Sequence, residues 1–308
     1  MSRHFTQPAP RAANELTDRS NKQLAAYALA AIVVFACVPF MMAQGTYTQI
    51  DYPGAADTNG QGINNHGDVS GWFVFTSGLP QNGFVLRNGV YSNVDYPQKR
   101  GTTLFGINDA GEIVGSTPQT DIGFLYDANQ FTTIAYPNAL ITYPYAINDA
   151  GNIVGYFLNK QQEDIGFELV GTSYVPIIQE GWSGSVATGI TAEGSVVGYT
   201  LNERGTLVNF IETDGSYSVL VIPGAPDASV TGISPNGNIL VGDYQPSSGV
   251  FAAFSYQGGV VQNIEFPGAA ITLVSEVNDS GVVVGTWEDA SGDSHGFTWT
   301  PPAADEKK

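Results

Sequence analysis

One segment recurs six times along this 308-residue chain and limits what it can fold into. The copies read "GINNHGDVSGWF" from Gly62, "GINDAGEIVGST" from Gly106, "AINDAGNIVGYF" from Ala146, "GITAEGSVVGYT" from Gly189, "GISPNGNILVGDY" from Gly232 and "EVNDSGVVVGTW" from Glu276. Their second residues, Ile63, Ile107, Ile147, Ile190, Ile233 and Val277, lie 44, 40, 43, 43 and 44 residues apart. Such a period is the signature of a repeat architecture, in which each unit buries its apolar face against the next.

A second element follows each copy: "GFVLRNGVYSNVDYP", "GFLYDANQFTTIAYP", "GFELVGTSYVPII", "VNFIETDGSYSVLVIPGA" and "AAFSYQGGVVQNIEFPGA", with a last one, "HGFTWTPP", that stops short. Each repeat therefore reads as four strands. The first ends in Gly-Ile-Asn, a glycine turn leads into the Ile-Val-Gly run, and the third begins near Gly-Phe. An Asn-Gly, Asp-Gly or Gly-Gly turn then leads to a fourth strand ending at proline, where an edge strand tolerates a lost donor. Four strands in 40–45 residues is the size of a propeller blade. "GTYTQIDYPGA", Gly45 to Ala55, reads as a fourth strand with no first three, and the last repeat lacks its fourth. The chain is therefore predicted to be all-β, a six-bladed β-propeller whose amino-terminal strand completes the last blade. The alternative is a β-solenoid of six repeats, which would need caps and leave its edges open.

The recurring "INDAG" invites a reading as a metal loop. Across the copies its Asn becomes Thr191 and Ser234, and its Asp becomes Asn65, Ala192 or Pro235. The glycine persists, at Gly67, Gly111, Gly151, Gly194, Gly237 and Gly281. A metal loop keeps its oxygens, whereas this segment keeps the residue that tolerates positive φ. It is read as the hairpin between a blade's first two strands, its Asn and Asp bonding the turn backbone. Copy five carries one extra residue between Gly237 and Gly242, which predicts a β-bulge in its second strand.

Charge excludes one class of partner. Between residues 45 and 300 there are five basic residues, Arg87, Lys99, Arg100, Lys160 and Arg204, against twenty-five acids, a net charge of −20. Such a surface repels phosphate backbones, so no nucleic-acid partner is expected. The sole cysteine, Cys37, precludes an intrachain disulfide and zinc sites of the Cys₂His₂ or Cys₄ type.

The amino terminus reads as an export signal. Residues 1–23 form a polar cytoplasmic region with Arg3, Arg11, Arg19 and Lys22, and residues 24–43, Leu24 to Ala43, carry no charge. This is a signal peptide or a membrane anchor, long enough to span a bilayer if uncleaved. Cys37 within "VFAC" adds a lipoprotein reading, against which stand bulky Phe35 and the apolar "VPFMM" that follows. A single domain is expected over 45–301, then a charged tail at 302–308, the whole being exported to the periplasm, the cell exterior or the outer side of the cytoplasmic membrane, as a monomer.

The alternation of "GINDAGxIVG" with "HGF" and its relatives resembles the extracellular repeat proteins of the HAF family, named for a His-Ala-Phe motif. The resemblance covers roughly Gly45 to Pro301. Only His295-Gly296-Phe297 keeps the histidine, the other copies showing Asn82-Gly83-Phe84, Ile122-Gly123-Phe124 and Ile165-Gly166-Phe167. The resemblance implies an exported, propeller-like repeat protein and supplies no catalytic residues.

In a propeller the fourth-to-first and second-to-third connections share the face around the channel that usually takes ligand. Here they carry Phe105, Tyr143, Tyr145 and Trp182, with Glu180, Asp227, Asp121, Glu163, Asp164, Glu203 and the acids of 288–293. Aromatics beside carboxylates and amides can stack on a sugar ring and bond its hydroxyls, while the same aromatics can instead pack between blades, Trp182 being the one expected to be most exposed. The candidate ligand-binding residues are Trp182, Tyr143, Tyr145, Phe105, Glu180 and Asp227. No catalytic residues are assigned. Histidine occurs only at His4, His66 and His295, and neither Gly-x-Ser-x-Gly nor His-Glu-x-x-His is present. "DASGDSHG", with Asp289 and Asp293, has the oxygen spacing of a weak calcium loop but departs from an EF-hand; otherwise no cofactor is expected. Two functions stay open: a non-catalytic binding module for glycan or protein, and a propeller glycoside hydrolase or lyase using channel-face carboxylates. A purely structural surface protein is a third.

Overall fold

The computed structural model describes residues 41–42 and 45–302, apart from 77, 98–100, 119–120, 203 and 246–250. The expected segments 1–23 and 24–43, with Cys37, lie outside these residues except for Met41 and Met42, as do Lys99, Arg100, Glu203 and the tail from 303.

Six antiparallel four-stranded sheets form a ring, a six-bladed β-propeller. The first strands of the blades are Asp57–Ile63, Thr103–Ile107, Ile141–Ile147, Trp182–Ile190, Ser229–Ile233 and Ile271–Val277. Each of them touches the next around the ring, so they form the inner wall. Blade 6 is composite: its fourth strand is Thr46–Ile50, paired antiparallel with Ser294–Thr300 from Thr46 opposite Thr300 to Ile50 opposite Gly296. Closure covers the end faces that a linear array would leave open, so that only the short outer edge of each blade remains. Met41–Met42 pairs in parallel with the outer strand of blade 5, Val260–Ile264.

The repeated residues explain the blades. Phe84, Phe124, Phe167, Phe210, Phe254 and Phe297, one per blade from the "GF" position, are at most 1% exposed. Burying each stabilises by roughly 2–3 kcal/mol. The glycine of the Ile-Val-Gly run lies opposite that ring in the neighbouring strand, as Gly71 opposite Phe84 and Gly115 opposite Phe124. A methyl group on Gly115 would stand 2.5 Å from the Thr103 carbonyl and 2.6 Å from the Phe124 ring, so the position admits only glycine. The turns are those the sequence demands. All six "INDAG" glycines have φ between 75° and 91°, and Asn88-Gly89, Asp214-Gly215 and Gly258-Gly259 have positive φ at both turn positions, as two-residue hairpins require.

The "INDAG" asparagines bond locally, and they also stitch the ring. Asn148 accepts the backbone N–H of Ala150 and Asn152 at 3.1 and 3.0 Å, while its amide donates to the Thr191 carbonyl of the next blade at 3.0 Å. Asn64, Asn108 and Asn278 likewise donate to the carbonyls of Asn108, Asn148 and Asn64. The following residue adds a second link: Asp109 accepts the N–H of Asn65, Asp149 that of Asp109, Asp279 that of Asn236, and Asn65 that of Asp279. Thr191 and Ser234 are too short to reach across. Between blades 4 and 5, the Ala192 N–H donates instead to the Pro235 carbonyl at 2.8 Å.

The extra residue of copy five lies elsewhere than the sequence suggests. The second strand of blade 5, Ile239–Tyr244, pairs with its third without a register shift. The turn is longer instead, closing from the Ser234 N–H to the Ile239 carbonyl where the first copy closes from Asn64 to Asp68. Loop backbone absorbs an insertion without breaking a ladder. The bulges fall in the first strands, all six of which shift register at the residue before the Gly-Ile pair or its equivalent.

A further motif, aromatic-Pro-x₄-Thr, fastens the fourth-to-first connections. The N–H groups of Tyr52, Tyr96, Tyr136 and Phe266 donate to the hydroxyls of buried Thr58, Thr102, Thr142 and Thr272 at 2.8–3.0 Å. In blade 5 this threonine is Ala228, and Asn209 stands where four other blades have glycine. Its amide donates to the Ala228 carbonyl at 2.7 Å and its oxygen accepts the Val230 N–H at 2.9 Å. One departure from the repeat fills the space and the bonding left by the other.

Candidate functional site

The hairpin turns crowd one end of the channel. Asn64, Asn108 and Asn148, with Asp109, Asp149 and Pro235, surround a cavity of about 30 Å³, room for a water or two. The turn face therefore offers scaffold rather than a ligand pocket.

Nearer the other face the inner wall of blades 2 to 4 is aromatic. The bulge of each first strand turns one residue toward its neighbour, and in blades 2 and 3 these are Phe105 and Tyr145, whose rings meet edge to face at 5.1 Å. Tyr143 stacks on Tyr156 at 5.3 Å, and Tyr145 lies 5.5 Å from the same ring. Tyr145 and Tyr156 share a hydrogen bond, and the Tyr143 hydroxyl donates to Asp121 at 2.8 Å. Burial holds the hydroxyls of Tyr143, Tyr145, Tyr156 and Tyr199 protonated, well above the ordinary tyrosine range. Asp164 is itself pushed up by desolvation, and its charge acts on Tyr145, Tyr156 and Tyr199. These rings are only partly covered, so one edge of the cluster faces the water of the channel.

Of the sequence-derived candidates, Phe105, Tyr143 and Tyr145 come together, with Asp121 and Asp164 from the acidic connections. Trp182 lies apart from them, half-buried between blades 3 and 4, with its ring 4.9 Å from Phe210 and 5.0 Å from Tyr217. Elsewhere the aromatic before the proline packs in this way, as Tyr52 stacks on Phe73 at 3.6 Å and Tyr136 on Phe157 at 3.6 Å. Glu180 and Asp227 are exposed on the connections into blades 4 and 5. Tyr156 and Tyr199 escaped the sequence reading. Both follow the invariant glycine of the second strand, where the other copies have Trp72, Ser116, Asp243 and Thr286. Variation at a fixed repeat position was the available signal.

The wall of blades 5, 6 and 1 is mixed: Trp72 stands opposite Asn59 and Leu273 opposite Thr286, and two acids are set beside them. Asp243, at that same variable position, accepts the Val274 N–H at 3.1 Å, and burial pushes its carboxyl up to about 8. Glu276 replaces the small residue before the Ile of the repeat, and burial pushes it to about 8 as well. Neither is raised by the charge of the other, so they are two separate groups rather than a coupled pair. Asn59 Nδ2, Thr231 Oγ1 and Thr286 Oγ1 are buried without a protein partner in the same three blades.

The Asp289 loop is built as a turn. One Asp289 oxygen accepts the N–H groups of Ser291 and Asp293 at 2.7 and 3.1 Å, and these bonds lower its pKa. Asn159 and Asn202 accept the corresponding N–H groups in blades 3 and 4, so an amide serves where a charge is not needed. The other Asp289 oxygen faces His295 Nε2 at 3.7 Å, while His295 Nδ1 meets Asp51 at 2.9 Å and the ring stacks on Trp287 at 4.5 Å. His295 thus ties the amino-terminal strand to the last blade. His66 is exposed in its turn. Among the described residues no three His, Cys, Asp or Glu side chains converge as metal ligands, and no helix is long and apolar enough to cross a membrane.

No protein-family model matches the chain, and no curated protein is significantly similar to it. Solved structures resemble it in fold. The virginiamycin B lyase from Staphylococcus aureus superposes with a TM-score of 0.51 at 10% identity, covering 84% of this chain and 100% of the lyase. A putative gluconolactonase gives a TM-score of 0.51 at 10% identity, covering 85% of this chain and 94% of that one. Identity this low carries the propeller fold and nothing finer.

Proposed function

We propose that this protein is an exported, non-catalytic binding module whose ligand, a glycan or a surface protein, enters the channel from the face opposite the "INDAG" turns. The observation that carries the reading is the cluster of Phe105, Tyr143, Tyr145 and Tyr156 with Asp121 beside it. Partly exposed rings flanked by carboxylates and phenolic hydroxyls suit a sugar, which offers an apolar face and a rim of hydroxyls. The apolar segment 24–43 supports export, and the "GINDAGxIVG" repeats support membership of the HAF family. A glycan array probed with the purified protein tests the reading. Saccharide ligands that compete with one another for the wild type and are lost in Tyr143→Ala would support it. Silence on the array, with no partner in a cell-surface pull-down, would remove it.

A second reading, glycoside hydrolase or lyase, is favoured by one observation. Carboxyls raised to about 8, as at Asp243 and Glu276, stay protonated at neutral pH as a general acid must. Polysaccharide turnover abolished by Asp243→Asn or Glu276→Gln would replace the binding reading with this one. The lyase and lactonase likenesses supply a fold for either reading and an activity for neither.

A further inference from the structure

The aromatic cluster of blades 2 to 4 stands beside carboxylates that no cation meets. Asp164 opens the third strand of blade 3, Asp164–Val170. Among the described residues its side chain forms neither an ion pair nor a hydrogen bond. Its charge acts on Tyr145, Tyr156 and Tyr199. Partial burial already penalises that charge and holds the carboxyl above its ordinary range. Asp121 reaches the same cluster from blade 2, where it accepts the Tyr143 hydroxyl at 2.8 Å.

The wall itself supplies no positive charge. It is carried by the six first strands and by the second strands Val69–Val74, Ile113–Thr117, Ile153–Leu158, Val196–Asn202, Ile239–Tyr244 and Val283–Glu288. These twelve strands contain no Lys, Arg or His, and four acids, Asp57, Asp243, Glu276 and Glu288. Burial keeps Asp243 and Glu276 neutral at pH 7, with values of about 8, so the charge beside the rings rests with Asp121 and Asp164. Lys160 and Arg204 are exposed in the turns after the second strands of blades 3 and 4 and pair with neither acid. The domain's net charge of −20 adds a negative field over the channel mouth.

We propose that the channel ligand is a cationic amino sugar, a glycan whose rings stack on the aromatic row and whose free amines face Asp164 and Asp121. The inference rests on the binding reading above and narrows its ligand class. Any ligand that seats on the cluster strips water from Asp164. A neutral sugar would deepen the cost of that charge, and an acidic one would add repulsion. An ammonium group offsets it and is also attracted by the faces of the rings. The shape of the cluster selects a sugar over a bare amine. Phe105, Tyr145, Tyr156 and Tyr143 follow one another at centroid distances of 5.1, 5.5 and 5.3 Å, a row longer than a single ammonium group. The tyrosine hydroxyls along it can bond the hydroxyls of a sugar.

Calorimetric titration of the full chain with two oligosaccharides tests it: a β-linked glucosamine tetramer and the same tetramer fully N-acetylated, which differ in charge and share rings and linkages. At about pH 6 the free-amine form should bind at least about tenfold more tightly. Raising salt from about 0.05 to about 0.5 M should remove most of that preference. Asp164→Asn should cut it to about threefold or less. Asp214→Asn, which removes an equal charge from an exposed hairpin turn, should leave it as it is. Where Asp164→Asn fails to fold, Asp121→Asn makes the same comparison at the second carboxylate. A preference for the N-acetylated form or for other neutral glycans, lost in Tyr143→Ala, would overturn this inference and leave the binding reading standing. An equal loss in Asp214→Asn would overturn it too, because net charge and not the site would then attract the ligand. Pentalysine that competes with the free-amine tetramer and binds more tightly would replace the sugar with a basic peptide. Binding of no glycan at all would overturn both this inference and the reading it rests on.

Discussion

Asn148 shows how much one side chain carries in this fold. Its oxygen closes its own turn and its amide bonds the next blade, so truncation leaves two part-buried N–H groups without that acceptor and takes from the Thr191 carbonyl one of its two donors, the other being the Gly194 N–H. Asn148→Ala is expected to cost about 3 kcal/mol in urea unfolding. Asp149→Ala, which removes one exposed acceptor, is expected to cost less than half of that. The local half of this role is legible in the sequence, because Asn and glycine at fixed spacing spell a turn. The other half is not, because the partner lies 43 residues away and only the closed ring brings it near. The pairing of Asn209 with Ala228 was equally hidden, since each looks like drift until the two are seen in contact. Asn209→Gly and Ala228→Thr should each destabilise by roughly 1–2 kcal/mol. The double variant restores the pairing used in other blades and should recover most of the loss, a coupling that a double-mutant cycle reads directly.

At the scale of elements, the alternating strands, the turn glycines and the missing fourth strand of the last repeat were all legible. Each is a local pattern, and the closing strand is simply the piece one end lacks. The bulges were not legible. The extra residue of copy five pointed to a bulge in a second strand, yet the bulges lie in the first strands, at the same place before the Gly-Ile pair or its equivalent in every copy, so no difference between copies betrays them. They matter because they turn Phe105 and Tyr145 toward each other. The closing strand depends on Ile50, 3% exposed in the seam with blade 1. Ile50→Ala is expected to cost about 3 kcal/mol. Amide hydrogen exchange should show protection falling across Thr46–Ile50 and Ser294–Thr300 before it falls in hairpin-closed blades.

At the scale of the whole molecule, the channel wall carries an aromatic cluster in blades 2 to 4 and two acids of raised pKa in blades 5 and 6, and these acids make stability depend on pH. Asp243 and Glu276 have folded values of about 8, against unfolded values near 4. Between those limits the folded state holds protons that the unfolded state has released, so stability falls as pH rises from about 5 to about 8. Asp243→Asn should stabilise the protein at pH 8 by roughly 2 kcal/mol and flatten that slope, and Glu276→Gln should do the same. Thermal melts across this range provide the check. Asp289 acts in the opposite sense: its lowered pKa contributes stability that is lost as pH falls below about 4.

The division into two faces, one scaffold and one ligand-bearing, is the claim on which the functional account rests, and calorimetric titration with the strongest saccharide ligand from an array tests it most directly. The account predicts that Tyr143→Ala and Tyr156→Ala each weaken binding at least about tenfold, the loss of roughly 1.4 kcal/mol or more of stacking and hydroxyl contact. It predicts that Asp109→Ala and Asp149→Ala, on the turn face, leave the affinity unchanged in the folded protein. Binding that survives both tyrosine variants and fails in the turn-face variants would contradict it.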